Sequence, residues 1–145
     1  RETKQLIKRY FDGPIFFSKI SYSESLKNSR GNEISIAEVN KYEVVLITGI
    51  ANPKPLLAYL DELNVSYSHL KFPDHHQFTE KDISKINNTF SLLKSTNKIL
   101  VTTEKDFVRL SKSVIDLYYL PIASTFVNDA KKFDTLIGKY LKSAL

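Results

Sequence analysis

Strand patterns and helix patterns alternate along the chain from Tyr42 onward, and this alternation restricts the possible folds more than any other feature. The first strand is predicted over Glu43 to Thr48, whose near-continuous apolar run is typical of a strand buried on both faces of a parallel sheet. Helices that connect parallel strands cover both faces of such a sheet. The sequence therefore predicts an α/β fold: a small, Rossmann-like, three-layer αβα domain with a parallel sheet of about four strands.

The later elements are each predicted from their periodicity and their end signals. A fourth strand, Asp116 to Ile122, is weaker than the others because Pro121 interrupts it. The remaining elements are a helix through Asn64 with Asn52 as N-cap and Pro53 at its first position, a strand Val65–Phe72, a helix Thr79–Thr96, a strand Lys98–Thr102, a short helix capped by Thr103-Glu104-Lys105-Asp106, and a final helix from about Asn128 that buries Phe133, Leu136, Ile137, Tyr140 and Leu141.

The residues before this alternation have a different pattern. Arg1 to Phe11 read as a short basic amphipathic helix, Ile15 to Tyr22 as a strand, and Ser23 to Asn32 as a polar loop. We therefore predict a linker of helix plus strand over residues 1–40 and an α/β domain over residues 41–145. Because the sequence begins at Arg1 and contains no methionine, we expect it to be a piece of a longer protein.

Composition excludes several classes of function. The 145 residues contain no cysteine, which excludes disulfides, thiolate zinc sites and cysteine nucleophiles. No apolar run approaches the about 20 residues that cross a bilayer. The formal net charge of +5 mildly favours anionic partners, but no basic and aromatic cluster of the RNA-binding type is present. We therefore expect no nucleic-acid partner.

Three loops are expected to meet at one edge of the sheet. They are Gly49–Pro53, Pro73–Thr79 and Thr102–Asp106, and each follows a predicted parallel strand. Because parallel strands point the same way, the loops after them lie at the same edge. Each loop also precedes a helix N-terminus, whose free N–H groups favour anions. The second of these, Pro73–Thr79, is called the histidine loop below.

The histidine loop contains Asp74-His75-His76, for which three interpretations stay open: a metal site, a proton relay and a solvated turn. A metal site has the weakest support, because adjacent histidines do not share a helix face and no dense carboxylate cluster accompanies them. No metal ligand is therefore predicted. A relay has better support, because an imidazole titrates near neutrality and can orient a carboxylate or exchange a proton with it.

The other two loops also allow two interpretations each. Thr103 to Asp106, with Arg109 one turn later, can be a capped helix start, or an edge at which Lys105 or Arg109 meets a phosphate. The Asn52 loop can be a tight turn or a ligand contact, and Thr103 and His76 are further candidates for substrate contact. No Gly-x-x-x-x-Gly-Lys-Ser/Thr phosphate loop occurs in the sequence, so the chain lacks an evident site for a nucleoside triphosphate.

Three ordered motifs, Gly49–Pro53, Phe72–Thr79 and Thr102–Leu110, together resemble the C-terminal half of the tetraacyldisaccharide 4′-kinase family, the lipid A 4′-kinases of Gram-negative bacteria. The strand Pro14–Tyr22 is similar to the linker before that half, so the resemblance covers nearly the whole chain. It implies transfer of the γ-phosphate of ATP, with Mg²⁺, to the 4′-hydroxyl of a tetraacyldisaccharide 1-phosphate, a lipid A precursor.

The resemblance also implies partners and a location. The phosphate loop and the magnesium ligands of the family lie in an N-terminal P-loop domain, which is absent from this chain and would be its partner. Neither ATP nor Mg²⁺ is therefore expected to bind to this chain alone. The family further implies peripheral attachment to the membrane surface, at the cytoplasmic face of the inner membrane.

The residue roles follow from the same resemblance. Asp74-His75 matches an Asp-His pair whose histidine works beside a catalytic aspartate supplied by the other domain. His75 is thus the catalytic candidate that orients this base, and Asp74 is the second candidate. A competing interpretation is a module that binds an anionic ligand at the same edge and catalyses nothing. Joining the missing half separates the two, because only the kinase interpretation predicts restored transfer.

Overall fold

The computed structural model describes residues 2–143, and Arg1 in the predicted first helix lies outside the described residues. Strands and helices alternate from residue 43 to residue 120, as the periodicities predict. In chain order the elements are α1 (Glu2–Lys8), β1 (Ser18–Tyr22), β2 (Ser25–Asn28), β3 (Glu33–Ser35), a 3-10 helix (Ile36–Lys41), β4 (Glu43–Thr48), α2 (Lys54–Glu62), β5 (Ser66–Lys71), α3 (Glu80–Leu92), β6 (Lys98–Thr103), α4 (Glu104–Leu110), β7 (Leu117–Leu120), β8 (Ile122–Phe126) and α5 (Ala130–Ser143).

The main sheet has six strands in the order β3-β2-β7-β6-β4-β5. Its four strands β7, β6, β4 and β5 are parallel, which confirms the predicted parallel sheet of about four strands. Strand β4 lies between β6 and β5 and pairs with both along most of its length. The near-continuous apolar sequence of β4 is explained by this central position, because both of its faces are covered.

The core lies in two layers, one on each face of the sheet. Val44 and Leu46 of β4 pack in one cluster with α2, whereas Val45 and Ile47 pack in the other with α3 and α4. Successive side chains of a strand point to opposite faces, so the single apolar run of β4 supplies both clusters. The predicted three-layer αβα arrangement is therefore confirmed.

Two short antiparallel strands extend the sheet, and the first of them lies where a loop was predicted. Strand β2 pairs with both β7 and β3, so the prediction of a loop over Ser23 to Asn32 was wrong. Leu26 is fully buried in the core, and the Asn28 side chain closes the hairpin by accepting hydrogen bonds from the backbone N–H groups of Arg30 and Asn32. One apolar residue among polar neighbours is too weak a pattern to reveal such a strand.

The chain divides into two compact units, and the boundaries differ from the predicted 40/41 division. One unit is Tyr22–Ile122, so residues 23–40, predicted as linker, belong with the main sheet. The other comprises the described residues up to Ser21 and from Ala123 onward. Strand β1 pairs with β8 in a separate two-stranded sheet and not with the main sheet. Pro121 ends β7, and β8 was not predicted.

Two helix predictions need correction. Asn52 is not the N-cap of α2: Pro53 occupies that position, and Asn52 Oδ1 accepts a hydrogen bond from the N–H of Lys54 at 3.2 Å. Helix α3 ends at Leu92 and not at Thr96, because Leu93 is already extended. Thr103 caps α4 as predicted, and Thr79, at the predicted start of its helix, caps α3; each accepts a hydrogen bond from the N–H group three residues later.

Helix α5 does not bury the apolar face that its sequence predicts. Of the five apolar residues named for it, Phe133 packs on Phe16 and Phe126. The other four remain 42–70% exposed: Leu136, Ile137, Tyr140 and Leu141. The amphipathic pattern correctly predicted a helix but not a covering layer, because periodicity shows which face is apolar and not what lies against it.

Candidate functional site

The three predicted loops meet at the carboxyl edge of the parallel strands. The N–H of Gly49, directly after β4, donates to Asp106 Oδ2 of α4 at 2.7 Å. Lys105 Nζ of α4 lies 2.9 Å from Asp74 Oδ1 in the histidine loop. Gly49 and Asp106 are 57 positions apart in sequence, and Asp74 and Lys105 are 31 positions apart, yet each pair is joined by a short polar contact. These contacts confirm the expected common edge.

The histidine loop is an ordered turn and not an open segment. The N–H of Phe72 donates to Thr48 O at 2.7 Å, and the N–H of His76 donates to Pro73 O at 3.3 Å. Asp74 Oδ1 also accepts from the N–H of His75 at 3.0 Å. The hydrogen bond from Lys105 lowers the pKa of Asp74, so the carboxylate that holds the turn stays ionised.

His75 is held by its backbone, while its imidazole stays free. Its φ of 56° lies in the left-handed region that side chains other than glycine rarely adopt. The side chain is 75% exposed, and its Nε2 is 3.6 Å from Asp74 Oδ2, beyond ordinary hydrogen-bond length. A ring presented in this way is available to a group supplied from outside this chain.

His76 has a different environment from its neighbour. Its side chain is 24% exposed, its Nε2 lies 3.0 Å from Asp82 Oδ2, and its ring stacks on Phe72 with the centroids 4.9 Å apart. Phe78 packs edge-on against the same ring. The two adjacent histidines therefore have different environments: the His76 ring contacts Asp82 of α3, and the His75 ring is exposed.

Asp82 completes the cap of α3 together with His76. Its Oδ2 accepts from the N–H and the hydroxyl of Thr79, at 2.9 and 2.7 Å, and from His76. These hydrogen bonds, with the one from the Thr79 backbone the largest, lower the pKa of Asp82 from 3.8 to about 2. The carboxylate is thereby held ionised at the start of the helix.

Asp82 is expected to make the stability of the chain depend on acid pH. Because its pKa is lower in the folded chain, the unfolded chain binds more protons between about pH 4 and about pH 2. Its contribution is therefore fully present above about pH 4 and is lost as the pH falls to about 2. Urea unfolding followed by far-ultraviolet circular dichroism across this range should show a shallower pH dependence in Asp82→Asn than in the exposed control Asp134→Asn. Equal slopes would contradict this assignment.

Asp106 is the site residue that sequence reasoning missed. It is completely buried, and its Oδ2 accepts from the N–H of Gly49 and the hydroxyl of Thr103, both at 2.7 Å. Its Oδ1 has no hydrogen-bond partner among the described residues and lies 4.0 Å from Arg109 Nη1. The capping motif indicated a helix start, but no sequence signal indicated that its aspartate would be buried against another loop.

Gly49 is required by this close approach. A Cβ built on Gly49 would lie 2.9 Å from Asp106 Oδ1 and 3.5 Å from the Phe78 ring. Gly49→Ala is therefore expected to destabilise the chain by about 1–3 kcal/mol, as overpacking does, because Asp106 is buried and cannot move aside. The control is Gly138→Ala in α5, where a Cβ meets nothing within 4 Å and a gain of about 0.5–1 kcal/mol is expected. Urea unfolding measures both, and equal effects would refute the argument.

The remaining predicted residues fall into two groups. Lys105 contacts Asp74, and Arg109 Nη1 donates to His76 O at 3.2 Å, so both cations predicted to meet a phosphate already contact the histidine loop. Thr103 caps α4. Asn52 is exposed and hydrogen-bonds within its own loop, so the structure does not bring it into the cluster of the other candidates.

The third histidine, His69, was also overlooked. Its Nε2 lies 2.8 Å from Oγ1 of the fully buried Thr48, at the end of β4. Burial lowers the pKa of His69, and the charge of Lys71 lowers it further, so the ring is neutral over a wider pH range than usual. This pair supports the strand ends beneath the loops and is not exposed like His75.

A comparison with protein families and curated proteins identifies relatives of the chain. The family model described as Tetraacyldisaccharide-1-P 4′-kinase matches residues 3–142. A tetraacyldisaccharide 4′-kinase of Flavobacterium johnsoniae is 43% identical over 133 residues, which are 90% of this chain and 37% of that protein. That of Flavobacterium psychrophilum is 42% identical, with 90% and 36% covered. The chain thus spans little more than a third of the length of these relatives.

A solved structure supports the fold. The crystal structure described as the "apo" form of LpxK from Aquifex aeolicus in complex with ATP matches with a TM-score of 0.60 at 19% identity. The match covers 90% of this chain and 37% of that chain. At this identity the similarity supports the arrangement of strands and helices, and the family assignment rests on the sequence matches.

Proposed function

The chain belongs to the tetraacyldisaccharide-1-P 4′-kinase family, and we propose that it is the C-terminal part of such an enzyme and completes its site of phosphoryl transfer. The reaction moves the γ-phosphate of ATP to the 4′-hydroxyl of a tetraacyldisaccharide 1-phosphate, a lipid A precursor. Because the chain spans about 37% of a relative's length, the activity of the whole enzyme is part of this proposal.

The observation that carries the proposal is the exposed imidazole of His75 on an ordered loop at the carboxyl edge of a parallel sheet. Substrates of open α/β folds bind at this edge. Phosphoryl transfer needs positioned groups and charge stabilisation more than covalent chemistry from the protein. A single well-placed imidazole can therefore make a large contribution when another part of the enzyme supplies the remaining groups.

The proposed step is an in-line displacement. The 4′-hydroxyl oxygen of the disaccharide attacks the γ-phosphorus, the bond to the β-phosphate oxygen breaks, and the hydroxyl proton passes to a carboxylate from the preceding part of the protein. His75 hydrogen-bonds to that carboxylate and orients it. Asp74 holds the turn that presents His75, through its contact with the His75 N–H.

ATP and Mg²⁺ are assigned to the preceding part of the enzyme. The sequence contains no phosphate loop. Over residues 2–143 no group of three or more His, Asp or Glu side chains is placed to hold a metal ion. The Aquifex aeolicus relative was crystallised with ATP, which supports ATP as the phosphate donor of the family.

The membrane is the proposed location of the substrate. A disaccharide with four acyl chains resides in a bilayer, so an enzyme that phosphorylates its sugar must work at the membrane surface. We place the complete enzyme peripherally at the cytoplasmic face of the inner membrane, where ATP is present. None of the helices within residues 2–143 is long and apolar enough to cross a membrane.

A module that binds an anionic ligand and catalyses nothing is the alternative. It needs free cations at the edge of the sheet. Lys105 and Arg109, the two cations predicted to meet a phosphate, are both already in contact with the histidine loop. The exposed group is instead the His75 imidazole, which is better suited to orienting a proton acceptor than to binding an anion.

Complementation tests the proposal in cells. The joined kinase, defined as this chain fused after the preceding part of the Flavobacterium johnsoniae relative, would be expressed in a Gram-negative strain whose own 4′-kinase is switched off. We expect growth and 4′-phosphorylated lipid A to return. If the joined kinase is made in soluble form and the tetraacyldisaccharide 1-phosphate still accumulates, the proposed function is refuted.

A further inference from the structure

We propose that Lys105 and Arg109 are positioning residues, which hold the residues on both sides of His75 and so keep its imidazole presented for the reaction. This inference rests on the proposed function for its effect on rate, but its structural part does not. It differs from the sequence-based hypothesis that these cations meet a phosphate.

The first contact lies before His75. Lys105 Nζ is 2.9 Å from Asp74 Oδ1, and the same oxygen accepts from the N–H of His75 at 3.0 Å. One carboxylate oxygen thus joins α4 to the backbone of the histidine. The orientation of Asp74, and with it the direction of the His75 N–H, depends on the Lys105 side chain.

The second contact lies after His75. Arg109 Nη1 donates to the carbonyl oxygen of His76 at 3.2 Å. Lys105 and Arg109 are four residues apart and therefore project from the same side of α4. The helix grips the loop at residue 74 and at residue 76, and the residue between them is the one with a positive φ.

The helix that supplies both side chains is itself fixed. Asp106 is completely buried and accepts from the N–H of Gly49 and the hydroxyl of Thr103. Its carboxylate lies 4.0 Å from Arg109 Nη1 and limits where the guanidinium can move. The left-handed backbone of His75 costs free energy in a residue other than glycine, so it persists only where surrounding contacts impose it.

The contact between Lys105 and Asp74 contributes little to stability. Lys105 and Asp74 form a partly exposed ion pair, a class that contributes little to the free energy of unfolding. Their loss should therefore leave the melting temperature almost unchanged and alter the conformation at His75. This separates a positioning role from a structural one.

Nuclear magnetic resonance on the 145-residue chain tests the structural part. The variants are Lys105→Met and Arg109→Gln, with Lys112→Met as the matched exposed control and Lys105→Arg as the conservative variant. We expect both test variants to move the backbone and imidazole signals of His75 and the coupling constant that reports its φ. Lys112→Met should leave them unchanged, Lys105→Arg should retain most of the original values, and the melting temperatures of the three lysine variants should stay within about 4 °C of that of the unchanged chain.

Kinetics of the joined kinase tests the role in the reaction. Lys105→Met should lower kcat about 10-fold, which is less than the about 100-fold that a larger misplacement of a reacting group costs. The KM for ATP should stay unchanged, and Lys105→Arg should recover part of the lost kcat. Combined with Asp74→Asn, Lys105→Met should add little, because both act through one contact.

Three results would overturn the inference. The first is that the His75 signals are unchanged in both test variants. The second is a raised KM for ATP or disaccharide at constant kcat, which indicates that the cation contacts a phosphate. The third is that the losses of kcat in Lys105→Met and Asp74→Asn are additive. An inactive joined kinase refutes the proposed function, whereas the magnetic resonance result still decides whether α4 sets the conformation of His75.

Discussion

Replacing His75 by alanine in the joined kinase is expected to lower kcat for 4′-phosphorylation by about 10²-fold or more, the scale of general acid–base contributions. The reason is that the imidazole is exposed and its nearest carboxylate oxygen, Asp74 Oδ2, is 3.6 Å away, so its removal deprives the reaction of an orienting group and the fold of very little. Steady-state kinetics and melting temperatures, measured on the same preparations, give both quantities.

Two neighbours provide the controls. His76→Ala should reduce the rate much less, but it should lower the melting temperature more, because it removes a ring stacked on Phe72 and bonded to Asp82. Asp74→Asn should fall between the two in rate, because it weakens the contact with Lys105 while keeping the shape of the side chain. If His76→Ala slows the reaction as much as His75→Ala, or if the His75→Ala loss parallels unfolding, the catalytic assignment is wrong.

The isolated chain is expected to show no magnesium-dependent ATP hydrolysis above that of its own His75→Ala variant. The phosphate loop that would grip the donor is absent from the sequence, and one imidazole cannot replace it. The assay compares phosphate release by the pure chain, its His75→Ala variant and the joined kinase. If the isolated chain hydrolyses ATP and this activity disappears in His75→Ala, the proposal that the preceding part of the enzyme binds ATP is refuted.

The parallel core was predictable because its sequence signals are local and strong. Strand β4 is a six-residue segment with five buried residues, and its apolar run is what burial on two faces demands. The caps Thr79 and Thr103 are equally local, because each threonine and its partner aspartate are three residues apart. The common edge of the three loops then follows from parallel strand direction alone.

The antiparallel strands β2 and β3 and the environment of α5 could not be predicted from the sequence, for a different reason. Strand β2 is defined by its partners β3 and β7, and its own four residues, one of them strongly apolar, resemble a loop. The residues of α5 describe an apolar face correctly, but the pattern of one helix contains nothing about the surface that covers it.

The site was predictable as a location and less so as a set of contacts. The sequence predicts that the histidine loop and the Thr103 loop are neighbours. That Lys105 and Arg109 point at this loop, and that Asp106 is buried against Gly49, depends on side-chain directions that spacing does not determine. The difference between His75 and His76 likewise comes from one backbone angle and one aspartate.

The central claim is that this chain completes a site for phosphate transfer to the 4′-hydroxyl, and the most direct test is the product formed by the purified joined kinase. Tetraacyldisaccharide 1-phosphate and ATP would be supplied, and the position of any new phosphate would be determined by phosphorus magnetic resonance and mass spectrometry. We predict one new phosphate on the 4′-oxygen, formed with His75 present and formed about 10²-fold more slowly in His75→Ala. A joined kinase that binds ATP but places no phosphate on the 4′-oxygen, or does so equally well without His75, would contradict the account.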